Sequence, residues 1–170
     1  MFSFSGKVQT AYARNIVEWS TKFGQRFCST FNEHCGHAEH EIFLAFVFVL
    51  AEKIHATFSK DQSPSNFKRA IPTKIQSTYY RQHGAEIPYA RLVLVFDRKR
   101  ILLDRHLTGF LEAHRNGVHS ALKTHVIRIA SVLFQQSFGR VVPNLAPHLE
   151  NLTSLFISIV DDAKALTLKH

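Results

Sequence analysis

The side chains with the greatest capacity for chemistry in this sequence are its eleven histidines, and the densest group around them is His34, Cys35, His37, His40 and Glu41. Imidazole, thiolate and carboxylate are the ligand types that hold zinc and non-haem iron, and three of them on one helical face suffice. With a helix starting by Glu33, His34, His37 and Glu41 share such a face. Gly36 interrupts that register, and a glycine there separates two helices more naturally than it continues one. The spacing is neither HExxH nor a paired CxxC. The expectation is therefore a polar loop with capping, solvated histidines, and no metal site at His34, His37 and Glu41.

Isolated histidines on helical stretches, such as His55, His106, His119 and His125, have the chemistry to ligate haem or relay protons. Satisfied surface or boundary positions are the commoner outcome for such residues, so neither haem nor a metal is expected as a resident cofactor. No GxSxG, no phosphate-cradling Gly-rich loop and no convergent carboxylate pair occurs, and seven glycines leave little to build one from. Hydrolytic and nucleotide-dependent chemistry has no motif to stand on, and the reading leans away from an enzyme.

Charge is more informative. The chain of 170 residues carries 21 Lys and Arg against 13 Asp and Glu, a net +8. The excess sits in two segments: Lys60 to Gly84 is net +4, and Ala113 to Arg140 has four basic residues and no acidic one. Between them, Arg91, Arg98 and Arg105 recur every seven residues, with Leu94 and Ile101 interleaved. At about 100° per residue this seam lies opposite the core stripe of the same helix. It is either a second packed face with snorkelling arginines or a partner surface, where apolar positions supply area and guanidinium groups grip carboxylates or phosphates. Lys68, Arg69, Lys74 and Arg81 extend the basic set. Two of its runs, Phe67-Lys68-Arg69 and Tyr79-Tyr80-Arg81, place aromatic rings beside cations, as RNA binding requires. In the acid-free segment Lys123 and Arg128 point about 140° apart, so one helix does not make a basic stripe by itself.

The elements that carry these residues are helices. Val8, Tyr12, Ile16, Trp19, Phe23, Phe27 and Phe31 step by threes and fours, predicting a helix over about 7–31. A second, over about 38–58, is apolar on most of its circumference and is expected at the centre. Its longest apolar run, Ile42 to Ala51, is about half of the ~20 residues a membrane span needs. A loop from Ser59 to Asn66 leads to a third helix over 72–83, started by Pro72 and stopped by Gly84. Pro88 opens the fourth, over 88–114, with Tyr89, Leu92, Phe96, Leu103, Leu107 and Phe110 toward the core. Asn116-Gly117 is a turn. Val118, Leu122, Val126, Ile129 and Leu133 define the fifth, over 118–138, stopped by Gly139. Leu149, Leu152, Phe156, Ile159, Ala163 and Leu166 define the sixth, over 147–167. The fold expectation is all-α, a single-domain bundle of six helices spanning 1–170, with globin-like crossing as one arrangement of it.

The stretch Arg81 to Leu103, RQHGAEIPYARLVLVFDRKRILL, resembles the central helix of the globin-like N-terminal sensor domains of RsbR-type stress regulators. The likeness covers one Pro-started amphipathic helix with a basic end. It implies a helical sensor domain, with or without haem, that dimerises through its C-terminal helices. No residue roles carry over.

The N-terminus has no basic region followed by an apolar core, so no secretory signal is expected, although an Arg-bearing amphipathic start keeps a mitochondrial presequence as an alternative. Two cysteines are no disulfide framework, which points to a reducing, intracellular compartment. Taken together, the residues favour a non-enzymatic basic binding module, an assembly subunit that docks an acidic protein surface or RNA. The sensor domain is the alternative.

Overall fold

The computed structural model describes the backbone of residues 6–58, 81 and 89–169, and the side chains of most of these. Within them lie five α-helices: α1 (Gly6–Thr30), α2 (His37–Phe58), α3 (Tyr89–Asn116), α4 (His119–Phe138) and α5 (Leu149–Lys169). A single 3-10 turn, Ala146–His148, leads into α5 with Pro147 near its start. The fold is all-α, as the periodicity implies. The expected helix over 72–83 lies outside the described residues, apart from a helical, exposed Arg81. No described helix is long and apolar enough to cross a membrane.

Three of the junctions close on left-handed residues that relieve the unpaired carbonyls of a helix end. At the end of α1, Asn32 takes φ 54°, Glu33 N–H donates to Cys28 C=O at 2.9 Å and Asn32 N–H to Ser29 C=O at 3.2 Å. Gly117, at φ 70°, does the same for α3, with Val118 N–H on Ala113 C=O at 3.0 Å. Gly139 ends α4 at φ 61° and donates to Gln135 C=O. Gly36 has another role: it is the N-cap of α2, and the Glu39 carboxylate reaches back to accept its N–H at 3.0 Å.

Helix α2 packs against each of the other four described helices. Phe43, Leu44, Val47, Leu50, Ala51 and Ile54 are all buried on it, so its unbroken apolar run reflects burial on nearly every side. Around it sits a cluster of phenylalanines. Phe23 of α1 has its ring centroid 5.7 Å from Phe43 and 5.2 Å from Phe46 on α2, and 5.5 Å from Phe156 on α5. The small residues Ala13, Ser20 and Gly24 of α1 are buried along with Ile16, Phe23 and Phe27, and Gly24 lies against Phe43 of α2. Trp19 packs against the core, half-buried, at the edge of the expected stripe, whose Ile16, Phe23 and Phe27 are fully buried. Val118 is a correction: it is the N-cap of α4 and 45% exposed, because the chain is still reversing there.

Gly24 sets how closely α1 and α2 approach. A Cβ at this position would lie 2.6 Å from Cδ2 of Phe43, a ring fully buried and held by Phe23 and Phe27. Gly24→Ala gains about 1 kcal/mol of helix propensity but overpacks a rigid core, which typically costs ~1–3 kcal/mol. The expected result is a lower thermal midpoint for the variant. A rise would show that Phe43 yields.

Candidate basic interface on the third and fourth helices

Helices α3 and α4 form an antiparallel hairpin about Gly117, so residues equally distant from that glycine stand opposite one another. Gly109 and His125 are each eight residues from it, and His106 and Arg128 each eleven. The structure bears out both pairings. A Cβ on residue 109 would meet the His125 ring at 2.3 Å, so the missing side chain is what lets that imidazole lie flat against α3. That need explains a glycine inside a helix, where it costs about 1 kcal/mol against alanine.

His106 meets His125 in the same seam, with ring centroids 6.0 Å apart and planes inclined at 47°. Each ring turns a buried Nδ1 inward that has no hydrogen-bonding partner. Burial is the main cause that pulls the His106 pKa below its ordinary 6.5, followed by the positive charge of Arg128, then His125, then Arg105. The imidazole is therefore held neutral by its surroundings. Its neighbours Arg105 and Arg128 are exposed, and among the described residues neither has an ion-pair partner. Each of the two helices thus contributes one guanidinium that acts on His106, which adds charge from α3 to what α4 carries by itself.

The other cations divide into free and occupied ones. Arg115 and Lys123 are exposed on the same two helices. Arg140, the last basic residue of the acid-free segment, is paired with Glu33 and lies over the rings of Phe134 and Phe138. Lys53 on α2 is paired with Asp104, which ties α2 to α3 and removes that carboxylate from the basic face. Glu112 is exposed two turns beyond Arg105 and bounds the face on that side.

Of the residues singled out from sequence, Arg91, Leu94, Arg98 and Ile101 are helical in α3, with side chains outside the described set; Arg105 is exposed. Lys68, Arg69 and Lys74 fall outside the described residues. His34 is exposed in the turn before α2, and Glu41 is half-buried in α2. His37 opens α2, with a side chain outside the described set. Among the described residues, no three His, Cys, Asp or Glu side chains are arranged to hold a metal ion. Arg128, His106 and His125 were individually visible in the sequence, but their meeting was not. The signal that reveals it is the equal count on either side of Asn116-Gly117.

The depressed His106 pKa makes stability depend on pH. The unfolded chain takes up a proton near pH 6.5 and the folded chain only at lower pH, so folding is favoured above about 6.5 and loses that contribution as pH falls through it. The thermal midpoint is expected to drop on acidification from pH 7 toward 5, and His106→Gln should flatten that limb. An identical pH profile for the variant would exclude His106 as its source. No family model matches the chain, and no curated protein and no solved structure is significantly similar to it.

Proposed function

We propose that this protein is a non-enzymatic binding module that docks an acidic protein surface through the basic face of α3 and α4. The observation that carries the reading is the pair Arg105 and Arg128, two exposed guanidinium groups from neighbouring helices without carboxylate partners among the described residues. After burial, the larger cause, Arg128 and more weakly Arg105 lower the pKa of His106, and an anionic partner relieves that part of the shift. Arg91, Leu94, Arg98 and Ile101, the seam read from the sequence, lie earlier on the same helix, and the proposal extends to them by their spacing alone. The proposal commits to a protein partner, whose carboxylates guanidinium groups grip directly; the aromatic-cation runs at Phe67 and Tyr79-Tyr80 that would suit RNA lie outside the described residues.

The test is titration of the protein with a polyglutamate peptide and, separately, with a single-stranded RNA. Saturable binding of the peptide, lost in Arg105→Glu/Arg128→Glu, supports the reading. Binding of RNA alone, lost in the same variant, reassigns the face to nucleic acid. Binding of neither, or binding that the variant leaves intact, overturns it.

A further inference from the structure

A groove runs between α1 and α5, which are antiparallel along it: Trp19 and Phe23 lie with Ile159 and Asp162, and Ser29 and Thr30 with Asn151 and Ser154. Its two ends differ in chemistry. The first holds about 180 Å³ over a floor of Phe23, Leu155 and Ile159, all buried, with the half-buried Trp19 beside them. The second holds about 410 Å³, and apart from Leu155 its lining is polar, with the hydroxyls of Ser29, Thr30 and Ser154 and the side-chain amides of Gln25 and Asn151. Gln25, Arg26 and Leu155 line both ends, so the groove is continuous.

Arg26 is exposed at that shared middle, and among the described residues no carboxylate pairs with it. The nearby acids are placed elsewhere. Glu18 is held by Lys22 at 3.1 Å, and Asp162 borders the apolar end, seven residues and so roughly 10 Å along α5 from Leu155. The Thr30 hydroxyl donates to Arg26 C=O at 2.8 Å and keeps its oxygen as an acceptor.

We propose that this groove binds a single-chain amphiphile whose apolar group is joined through one phosphodiester to a hydroxylated head. The apolar group lies on Phe23, Leu155 and Ile159 against Trp19, the phosphodiester meets Arg26, and the head's hydroxyls take the amides and hydroxyls of the polar end. The order of the groove sets each part. Because Arg26 lines both ends, the anion it takes stands inside the ligand and not at its tip, and a phosphodiester is a monoanion with a group on either side. One guanidinium matches one charge, and its planar fork grips two phosphate oxygens. A carboxylate is terminal and leaves one end of the groove unfilled. Asp162 repels an anion from the apolar end, which fixes the direction of the ligand. An apolar floor with a few convergent polar groups is the usual make-up of a small-molecule site, and the polar end alone falls within the roughly 300–1,000 Å³ of such sites. Neither α3 nor α4 lines the groove, so it is separate from the basic face.

Trp19 is the one tryptophan of the sequence, so its emission reports on the apolar end directly. The full chain is titrated with lauroyl-lysophosphatidylglycerol, below the concentration at which it forms micelles, and the heat of binding is recorded in parallel. A saturable change in Trp19 emission is expected, with the same midpoint as the heat. Arg26→Gln should weaken binding by at least about tenfold, and its thermal midpoint should stay near the wild-type value because the residue is exposed. Lauroyl-lysophosphatidylcholine, whose head has no net negative charge and no hydroxyl beyond its phosphate, should bind the wild type more weakly, and Asn151→Ala/Ser154→Ala should narrow that difference. Equal affinity for the two lipids, or affinity that Arg26→Gln leaves intact, means unselective coating of apolar surface and overturns the proposal. Binding to phosphatidylglycerol vesicles without binding of the monomer also overturns it, and assigns the charge to a membrane surface. Absence of saturation in both emission and heat overturns it as well.

Discussion

Phe23→Ala should destabilise the protein by about 3–5 kcal/mol, the usual range for deleting a buried aromatic ring. Phe23 is 1% exposed and its ring touches Phe27 on its own helix, Phe43 and Phe46 on α2 and Phe156 on α5. Removing it takes transfer energy from one side chain and packing from four others, in a place where three helices meet and none can collapse inward easily. A domain of ordinary stability has about 5–15 kcal/mol in all, so the loss approaches the whole at the lower end. In urea the unfolding midpoint should fall steeply while the slope stays near the wild-type value. Phe31→Ala provides the contrast: that ring is half-buried at the junction, and its loss should cost less. Equal losses at both positions would mean that the cluster is not the centre of the core.

Much of this architecture was readable from the chain. Helix boundaries came from turn chemistry: Gly117, in the expected turn, and Gly139, the expected stop, take left-handed conformations, and the observed ends fall within about two residues of the expected ones. The central place of α2 followed from the apolar run 42–51, since a helix without a polar face has to be covered all round. What periodicity did not show was how far burial extends around α1. The expected line is buried at Ile16, Phe23 and Phe27, and burial reaches beyond it to Ala13, Ser20 and Gly24, where Gly24 leaves room for Phe43. A hydrophobic pattern counts apolar residues and is blind to the space that small ones leave.

Contacts between side chains were harder to read. The sequence groups His34, Cys35, His37, His40 and Glu41 by closeness alone, and one contact within that group joins Cys35 Sγ and His40 Nε2 across the start of α2. Likewise, Arg128 looks isolated on α4 in the sequence, and the hairpin brings it near enough to His106 on α3 to lower its pKa. Chemistry assembled across a turn is legible only once the turn residue is fixed, because the pairing depends on the count from it. Gly109 was the accessible clue: a glycine inside an otherwise regular helix marks a close neighbour, and the count about Gly117 identifies that neighbour as His125.

Arg105→Glu/Arg128→Glu should weaken binding of an acidic partner by at least about tenfold, which is ~1.4 kcal/mol. Each guanidinium contact to a carboxylate contributes roughly 1.5–3 kcal/mol when charge-assisted and much less when fully solvated, and reversal adds repulsion to the loss. Both positions are exposed, so the fold should hardly notice: surface substitutions usually shift stability by under ~0.5 kcal/mol. A second readout is independent of any partner. Burial is the main cause that lowers the His106 pKa, with Arg128 and more weakly Arg105 adding to it; carboxylates in their place favour protonation, so the variant's thermal midpoint should become less sensitive to acidification. Weaker binding together with a flattened acid limb and an unchanged midpoint at pH 7.5 is the signature of a surface used for docking. If the ligand is RNA, the affinity falls alike for all sequences and the salt dependence loses about two phosphate contacts. If the variant unfolds and binding disappears only in step with unfolded protein, the face belongs to the core of the bundle, and the docking role is wrong.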